Sequence, residues 1–302
     1  MTPLGLVERR EFNGESINME YDEEYVAART VLLDALEALK EHRKNIILIG
    51  AQAVYVWSGE GDFNVATMTT DADLALNADQ FYPDPEVAAT LRLHGFQRKK
   101  DKDGNLAQPG QWENPQGIAL DLMISEHHAG TGSRAAKLPP HEKHFARRGR
   151  GLAPALVDYK IEEISAMAVG DSRSITVAVA GPAALIVAKC IKLKERLEAV
   201  SNGGNDRLKP KDALDIHRLL TDVDLDTLAR GFINHKDQED AKLESQEALE
   251  FLETQSRNPS DQLPAMVSLA AEDDEGIQAE FFIVLVNQLL NKLRGEGVIP
   301  TP

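Results

Sequence analysis

The chain has 302 residues, 42% hydrophobic and 27% charged, enough apolar material for one large core or two smaller ones and too much for wholesale disorder. A formal charge of −16 counts against a uniformly basic nucleic-acid binder, and the single cysteine, Cys190, excludes an intramolecular disulfide and fits a reducing compartment. The longest apolar run, ITVAVAGPAALIVAKC, is too short and too broken by Gly-Pro to span a bilayer, and the N-terminus lacks a secretion signal, so a cytoplasmic protein with no membrane segment is expected.

In chain order, residues 23–42 carry Val26, Leu32, Leu33, Leu36 and Leu39 at near-helical spacing behind leading acids, which predicts an amphipathic helix on a sheet. NIILIG (45–50) reads as a buried strand ending in glycine, and AQAVYVWS after it suits a helix. GEGDFNVA (59–66) is loop, and TMTTDADLAL (67–76) is a second strand. PEVAATLRLHG (85–95) predicts a connecting helix, Asp103-Gly104-Asn105 a hairpin turn, and GIALDLMIS (117–125) a further strand. A loop rich in Gly, His and Arg follows, and the run 151–181 predicts short strands with a turn near Gly170-Asp171. From Gly181-Pro182 the pattern turns helical, over about 182–200, 210–221, 224–232, 239–256 and 277–294, with SNGGND (201–206) and SRNPSDQ (256–262) as connectors. The expectation is an α/β (α+β) fold in two domains, 1–180 with a mixed sheet and flanking helices, and 181–302 all-helical.

Charge is unevenly spread. The stretch Asp222 to Glu280 carries most of the negative excess, whereas Arg134, Lys137, Lys143, Arg147, Arg148 and Arg150 face only Glu142 in their segment, a landing place for an anion or a solvated loop.

Three features bear on chemistry: a glycine turn between strand and helix (Gly50-Ala51), two carboxylates on the next strand (Asp71 and Asp73), and a carboxylate within a later strand (Asp121). Residues two apart on a strand share a face at about 6–7 Å. Two anions so placed need protonation, a basic partner or a metal ion. Three hard oxygen donors suit Mg²⁺ or Mn²⁺, and two such ions align a nucleoside triphosphate with an attacking hydroxyl. A helix opening after Gly50 offers backbone N–H groups to phosphates.

The stretch IGAQAVYVWSGEGDFNVATMTTDADLAL resembles the strand-Gly-helix-DxD signature of the polymerase-β-type nucleotidyltransferase superfamily, in particular its AbiEii/MenT-like toxin branch. AALIVAKCIKLKER followed by RLKPKDALDIHRLL is similar to that branch's lysine-bearing helix and KD-x-x-D helix. The similarity implies that Asp71, Asp73 and Asp121 bind the metals. It further implies that Lys189 reaches the triphosphate, that Gly50, Ala51 and Lys192 belong to the nucleotide site, and that Asp212 is catalytic. It implies an NTP substrate, an RNA acceptor such as the 3′ end of tRNA, and a cognate antitoxin. Ala51 stands where the superfamily usually has Gly or Ser, so a phosphate-binding hydroxyl is missing, and the Gly50–Asp71 segment is longer than in minimal members.

Helix geometry alone also allows Lys189 to snorkel to solvent and Asp212 to serve as an N-terminal helix acid. Thr69 and Thr70 precede the acid pair, where phosphorylation would oppose metal binding. His141 and His144 in HEKH are three apart, the wrong spacing for a zinc-protease helix, and Cys190, Trp57 and Trp112 read as packing residues. Competing readings are a small-molecule or protein nucleotidyltransferase, and a catalytically inactive binding module of the same fold.

Overall fold

The structure is a computed structural model and describes residues 9–12, 15–18, 22–59, 69–272 and 276–300. Strands β1 (Arg9–Phe12) and β2 (Glu15–Asn18) form an antiparallel hairpin. Helix α1 (Glu23–Ala38) begins at Asp22, whose carboxylate accepts the Glu24 N–H at 2.7 Å, and Glu23 and Glu24 sit on the favourable end of its dipole. Its Leu32, Leu33 and Leu36 are fully buried, each contributing about 1.5–3 kcal/mol relative to exposure.

The central sheet is assembled from β3 (Ile46–Ile49), β4 (Asp71–Leu76), β5 (Gln97–Arg98), β6 (Gln111–Glu113), β7 (Ala119–Ser125), β8 (Arg147–Gly149), β9 (Tyr159–Ser165) and β10 (Ser174–Ala180). Their order is β5-β6-β7-β4-β3-β10-β9, and β8 pairs with β7 beyond the end of β6. The sheet is mixed: β4 runs antiparallel to β3 and parallel to β7. Helix α2 (Gly50–Ser58) follows β3 directly, and α3 (Val87–Leu93) lies between β4 and β5. The β3-α2-β4 unit, the β9–β10 hairpin and the strand around Asp121 match the sequence expectation. The loop expected at 59–66 lies outside the described residues from position 60 onward, as do positions 67 and 68 of the expected second strand.

Six helices follow: α4 (Pro182–Ser201), α5 (Pro210–Asp222), α6 (Leu225–His235), α7 (Glu239–Thr254), α8 (Gln262–Ala271) and α9 (Ile277–Gly295). Five agree with the periodicity reading. Helix α8 was not expected, because QLPAMVSLAA offers only a short apolar run with a proline; that proline falls in its first turn, where no N–H is needed. Helix α4 takes its cap from a distance: Asp158, before β9, accepts the Ala184 N–H at 3.1 Å. Helices α4 and α5 pack on α2, which brings Lys189 and Asp212 to the strand carboxylates' side of the sheet. Among the described residues no helix is long and apolar enough to cross a membrane.

Candidate active site

Asp73 is the hub. In the ladder it stands opposite Ile49 on one side and Asp121 on the other, so the end of β3, the middle of β4 and β7 meet at one level. Asp71 lies two residues before it on the same face. Gly50 has φ +72, and a Cβ there would lie 2.8 Å from Asp73 Cβ, so a side chain at position 50 would occupy the space of the carboxylate. The glycine is thus required both by its left-handed backbone and by the approach of Asp73.

Electrostatics follow from this crowding. Burial, together with the neighbouring Asp71 and Asp121 carboxylates, pushes the Asp73 pKa up to about 7. Burial likewise raises Asp121, opposed chiefly by Arg147, whose Nη2 is 3.0 Å from Asp121 Oδ2. Among the described residues the other oxygen, Asp121 Oδ1, is buried with no hydrogen-bond partner. Thr69, itself buried, donates to Asp71 Oδ1 at 3.1 Å; of the two threonines only Thr70 is exposed.

Gln52, a lone polar residue in the apolar start of α2, holds the beginning of β4. Its amide donates to the Asp71 carbonyl at 3.2 Å and to Ala28 O at 3.0 Å, and accepts from Arg29 Nε at 3.0 Å. Ala51 is buried beside it and offers no hydroxyl.

Lys189 is buried, and its ammonium is bound to Asp212 Oδ1 at 2.9 Å and to Asp215 Oδ2. Burial disfavours the charge, but Asp215 and Asp212 outweigh it and hold the lysine above its ordinary range. Asp212 has no exposed side-chain surface and also receives Lys192 Nζ and Arg196 Nη1, each at 2.9 Å. Burial would raise its pKa, and Lys189 and Lys192 hold it below the usual carboxylate range instead. Lys189 therefore does not snorkel to solvent. Lys192, 42% exposed, is the more open of the two ammonium groups, with its pKa drawn down by burial and by Lys189. Asp215 also approaches Arg218, which lies over Tyr55 of α2, and burial raises the Tyr55 phenol to about 12.

These parts border a cleft of about 570 Å³ lined by Gly50, Asp73, Arg134, Arg147, Arg148, Lys189, Lys192, Arg196 and Arg207, among others. The structure thus gathers Gly50, Asp73 and Lys189 with Lys192 around one opening, with Asp71 and Asp121 flanking Asp73 in the sheet. Asp212 sits behind the lysines as their shared counter-ion. In the sequence Arg147 is one of several basic residues, and nothing local signals its pairing with Asp121. Gln52 was also missed; a glutamine inside GAQAVYVW was the available signal.

The basic segment is partly committed internally. Arg150 bonds Glu126 at 3.1 Å, Glu195 at 3.4 Å and Glu247, tying the sheet to α4 and α7. His141 is buried, accepting from Val87 N at 3.3 Å and donating to Tyr82 O at 2.9 Å, which makes it a packing residue. Cys190 is buried, with its thiol pushed up by burial.

For a divalent ion the strand site offers hard oxygen donors, an unpartnered buried oxygen on Asp121 and an excess of negative charge that burial makes costly, so the residues fit the group. Among the described residues, the group whose ligand atoms lie within 4.8 Å of one another is Glu126, His127 and Glu244. There Glu244 already accepts the Gly151 and Ala153 N–H groups, and Glu126 holds Arg150, so that cluster reads as a joint between the sheet and α7. The three strand aspartates do not bring their ligand atoms that close together; Asp71 and Asp73 share a strand face and Asp121 stands beside Asp73 in the ladder.

Neither the comparison with curated proteins nor that with solved structures produced a match. A nucleotidyltransferase family model matches residues 28–221, from α1 through the sheet and across residue 181 to the end of α5. That span contains every element just described around the cleft, and the chain accordingly belongs to this nucleotidyltransferase family and is a transferase of nucleotidyl groups.

Proposed function

We propose that the protein moves a nucleoside monophosphate from an NTP to a hydroxyl at the 3′ end of an RNA, of the tRNA class, in a reaction that needs Mg²⁺ or Mn²⁺. The observation that carries this reading is the lateral pairing of Asp73 with Asp121 beside Gly50, with Asp73 and Gly50 lining a cation-rich cleft. Asp71, Asp73 and Asp121 would hold the divalent ions. When bound, such ions neutralise the phosphates and make the acceptor hydroxyl easier to deprotonate.

The acceptor oxygen forms its bond to the α-phosphorus as the bond from that phosphorus to the bridging oxygen of the pyrophosphate breaks. Pyrophosphate leaves, and the hydroxyl proton passes to a carboxylate of the site or to solvent. Helix α2, opening at Gly50, turns its first N–H groups toward this end of the sheet and favours anionic charge there. Lys192, oriented by Asp212, supplies positive charge at the cleft, while Lys189 is the buried member that keeps Asp212 and Asp215 in place. Arg134 and Arg207, both exposed along the cleft, suit a phosphodiester backbone.

The resemblance to the AbiEii/MenT-like branch supports a role as the toxin of a toxin-antitoxin or phage-defence system, with a cognate antitoxin as partner. The deciding experiment is incubation with total RNA, Mg²⁺ and each radiolabelled NTP in turn, with Asp71→Ala/Asp73→Ala as control. Label on tRNA-sized RNA with the wild type alone supports the reading. NTP turnover without RNA labelling overturns the RNA acceptor and leaves a small-molecule or protein hydroxyl. No turnover at all points to an inactive binding module.

A further inference from the structure

Among the described residues, the ion pair between Arg147 and Asp121 is the only one that any of the three strand aspartates makes. It uses Oδ2 of Asp121 and leaves Oδ1 buried with no hydrogen bond, while the Gln111 amide, opposite Asp121 on β6, lies close enough to favour the charged carboxylate. Apart from Asp121, the Arg147 Nη2 atom meets the Met123 sulfur at 3.1 Å, a weak acceptor. The guanidinium is 27% exposed, lines the cleft, and projects from a strand of three residues paired with the far half of β7. It is therefore anchored by one carboxylate and has open space beside it.

A divalent ion bound to Asp121 would put two positive charges beside this guanidinium, and like charges so close repel strongly. The arginine must then give up the carboxylate. In an occupied cleft the nearest replacement anions are the nucleotide phosphates, which match a guanidinium's planar donors.

We propose that Arg147 is a resident counter-ion which a divalent cation displaces from Asp121 and which the phosphates of the nucleotide then take up, so that metal and nucleotide bind cooperatively. This inference rests on the nucleotidyltransferase reading of the three aspartates. By linkage, the factor by which metal tightens triphosphate binding is the factor by which triphosphate tightens metal binding.

The test is a Mn²⁺ titration of the full chain followed by electron paramagnetic resonance, with calorimetric binding of inorganic triphosphate at saturating Mn²⁺ as the second readout. Arg147→Met is expected to bind Mn²⁺ alone about five- to tenfold more tightly than wild type, and triphosphate more weakly by a similar factor. Arg147→Lys, which keeps the charge, is expected to stay near wild type for Mn²⁺. If Arg147→Met does not fold, Arg147→Gln carries the same expectation. Mn²⁺ affinity unchanged or reduced in the neutral variants overturns the proposal while leaving the carboxylate site standing. A wild type that binds no Mn²⁺, or binds it equally well after Asp71→Ala/Asp73→Ala, overturns the site reading itself.

Discussion

Gly50 and Asp73 are packed so closely that the space a side chain at position 50 would need is the space the carboxylate fills. The last residue of β3, Ile49, is the ladder partner of Asp73, so the chain must turn into α2 directly over the acid. Gly50→Ala should therefore cost about 1–2 kcal/mol in backbone strain alone. It should also displace Asp73, and a misplacement of about 1 Å is enough to lower turnover by about 100-fold. Steady-state kinetics with thermal melting check this: near-wild-type kcat with the alanine would contradict the packing argument.

Asp73 should also make the metal-free protein sensitive to pH. Its folded pKa of about 7 lies above the ordinary 3.8, so between those values the folded state holds a proton that the unfolded chain has released. Stability from this group is then greatest below pH 4 and declines as pH rises toward 7. In EDTA, Asp73→Asn should remove that decline and melt higher than wild type at pH 8, with the difference closing below pH 4. Melting curves of the two proteins across pH 4–8 measure it; parallel curves would contradict it.

Asp212 is a buried anion shared by Lys189, Lys192 and Arg196. Replacing it with asparagine leaves the buried Lys189 with Asp215 alone and should destabilise the fold by about 3 kcal/mol, the range for breaking a buried pair from one side. Adding Lys189→Met should recover part of that loss. Urea unfolding of both single variants and the double variant gives the coupling, and strict additivity would show that the two residues act independently.

If Arg134 and Arg207 hold an RNA backbone, Arg134→Ala/Arg207→Ala should raise KM for RNA and leave KM for the NTP within about twofold, because phosphate contacts to a polyanion are separate from the carboxylate site. The dependence of RNA affinity on salt should also become shallower by about two contacts' worth. Filter binding over a salt series reads this directly, and an unchanged slope would place the RNA elsewhere.

Gln52→Leu removes the amide that holds the Asp71 carbonyl and the acceptor used by buried Arg29. An expected loss of about 1–3 kcal/mol follows from leaving those groups unsatisfied, with activity falling further than stability if Asp71 shifts. Gln52→Glu, which retains the acceptor but loses the donor, separates the two effects.

Much of the fold was readable from local pattern. A short apolar run ending in glycine marked β3, the absence of strand alternation after it marked α2, and 3.6-residue periodicity marked α4 and α5, because each signal lies within one segment. The same-face placement of Asp71 and Asp73 follows from strand geometry alone. Helix α8 escaped because ten residues around a proline give too little periodicity to distinguish it from a connector.

The sequence by itself determined which residue types were available: two acids two apart, a third on a later strand, a glycine at a strand-to-helix turn, and lysines along a helix edge. The tertiary structure decided their partners. Asp121 faces Asp73 only because β4 and β7 run parallel in that register, and one residue of slip would separate them. Arg147 of β8 meets Asp121 of the neighbouring β7, and Asp212 binds three cations from α4, through pairings that span 16 to 26 residues and leave no local periodicity to read. Those long-range pairings set burial and charge balance, and these in turn set which carboxylate is protonated, which lysine is buried and which arginine can be displaced.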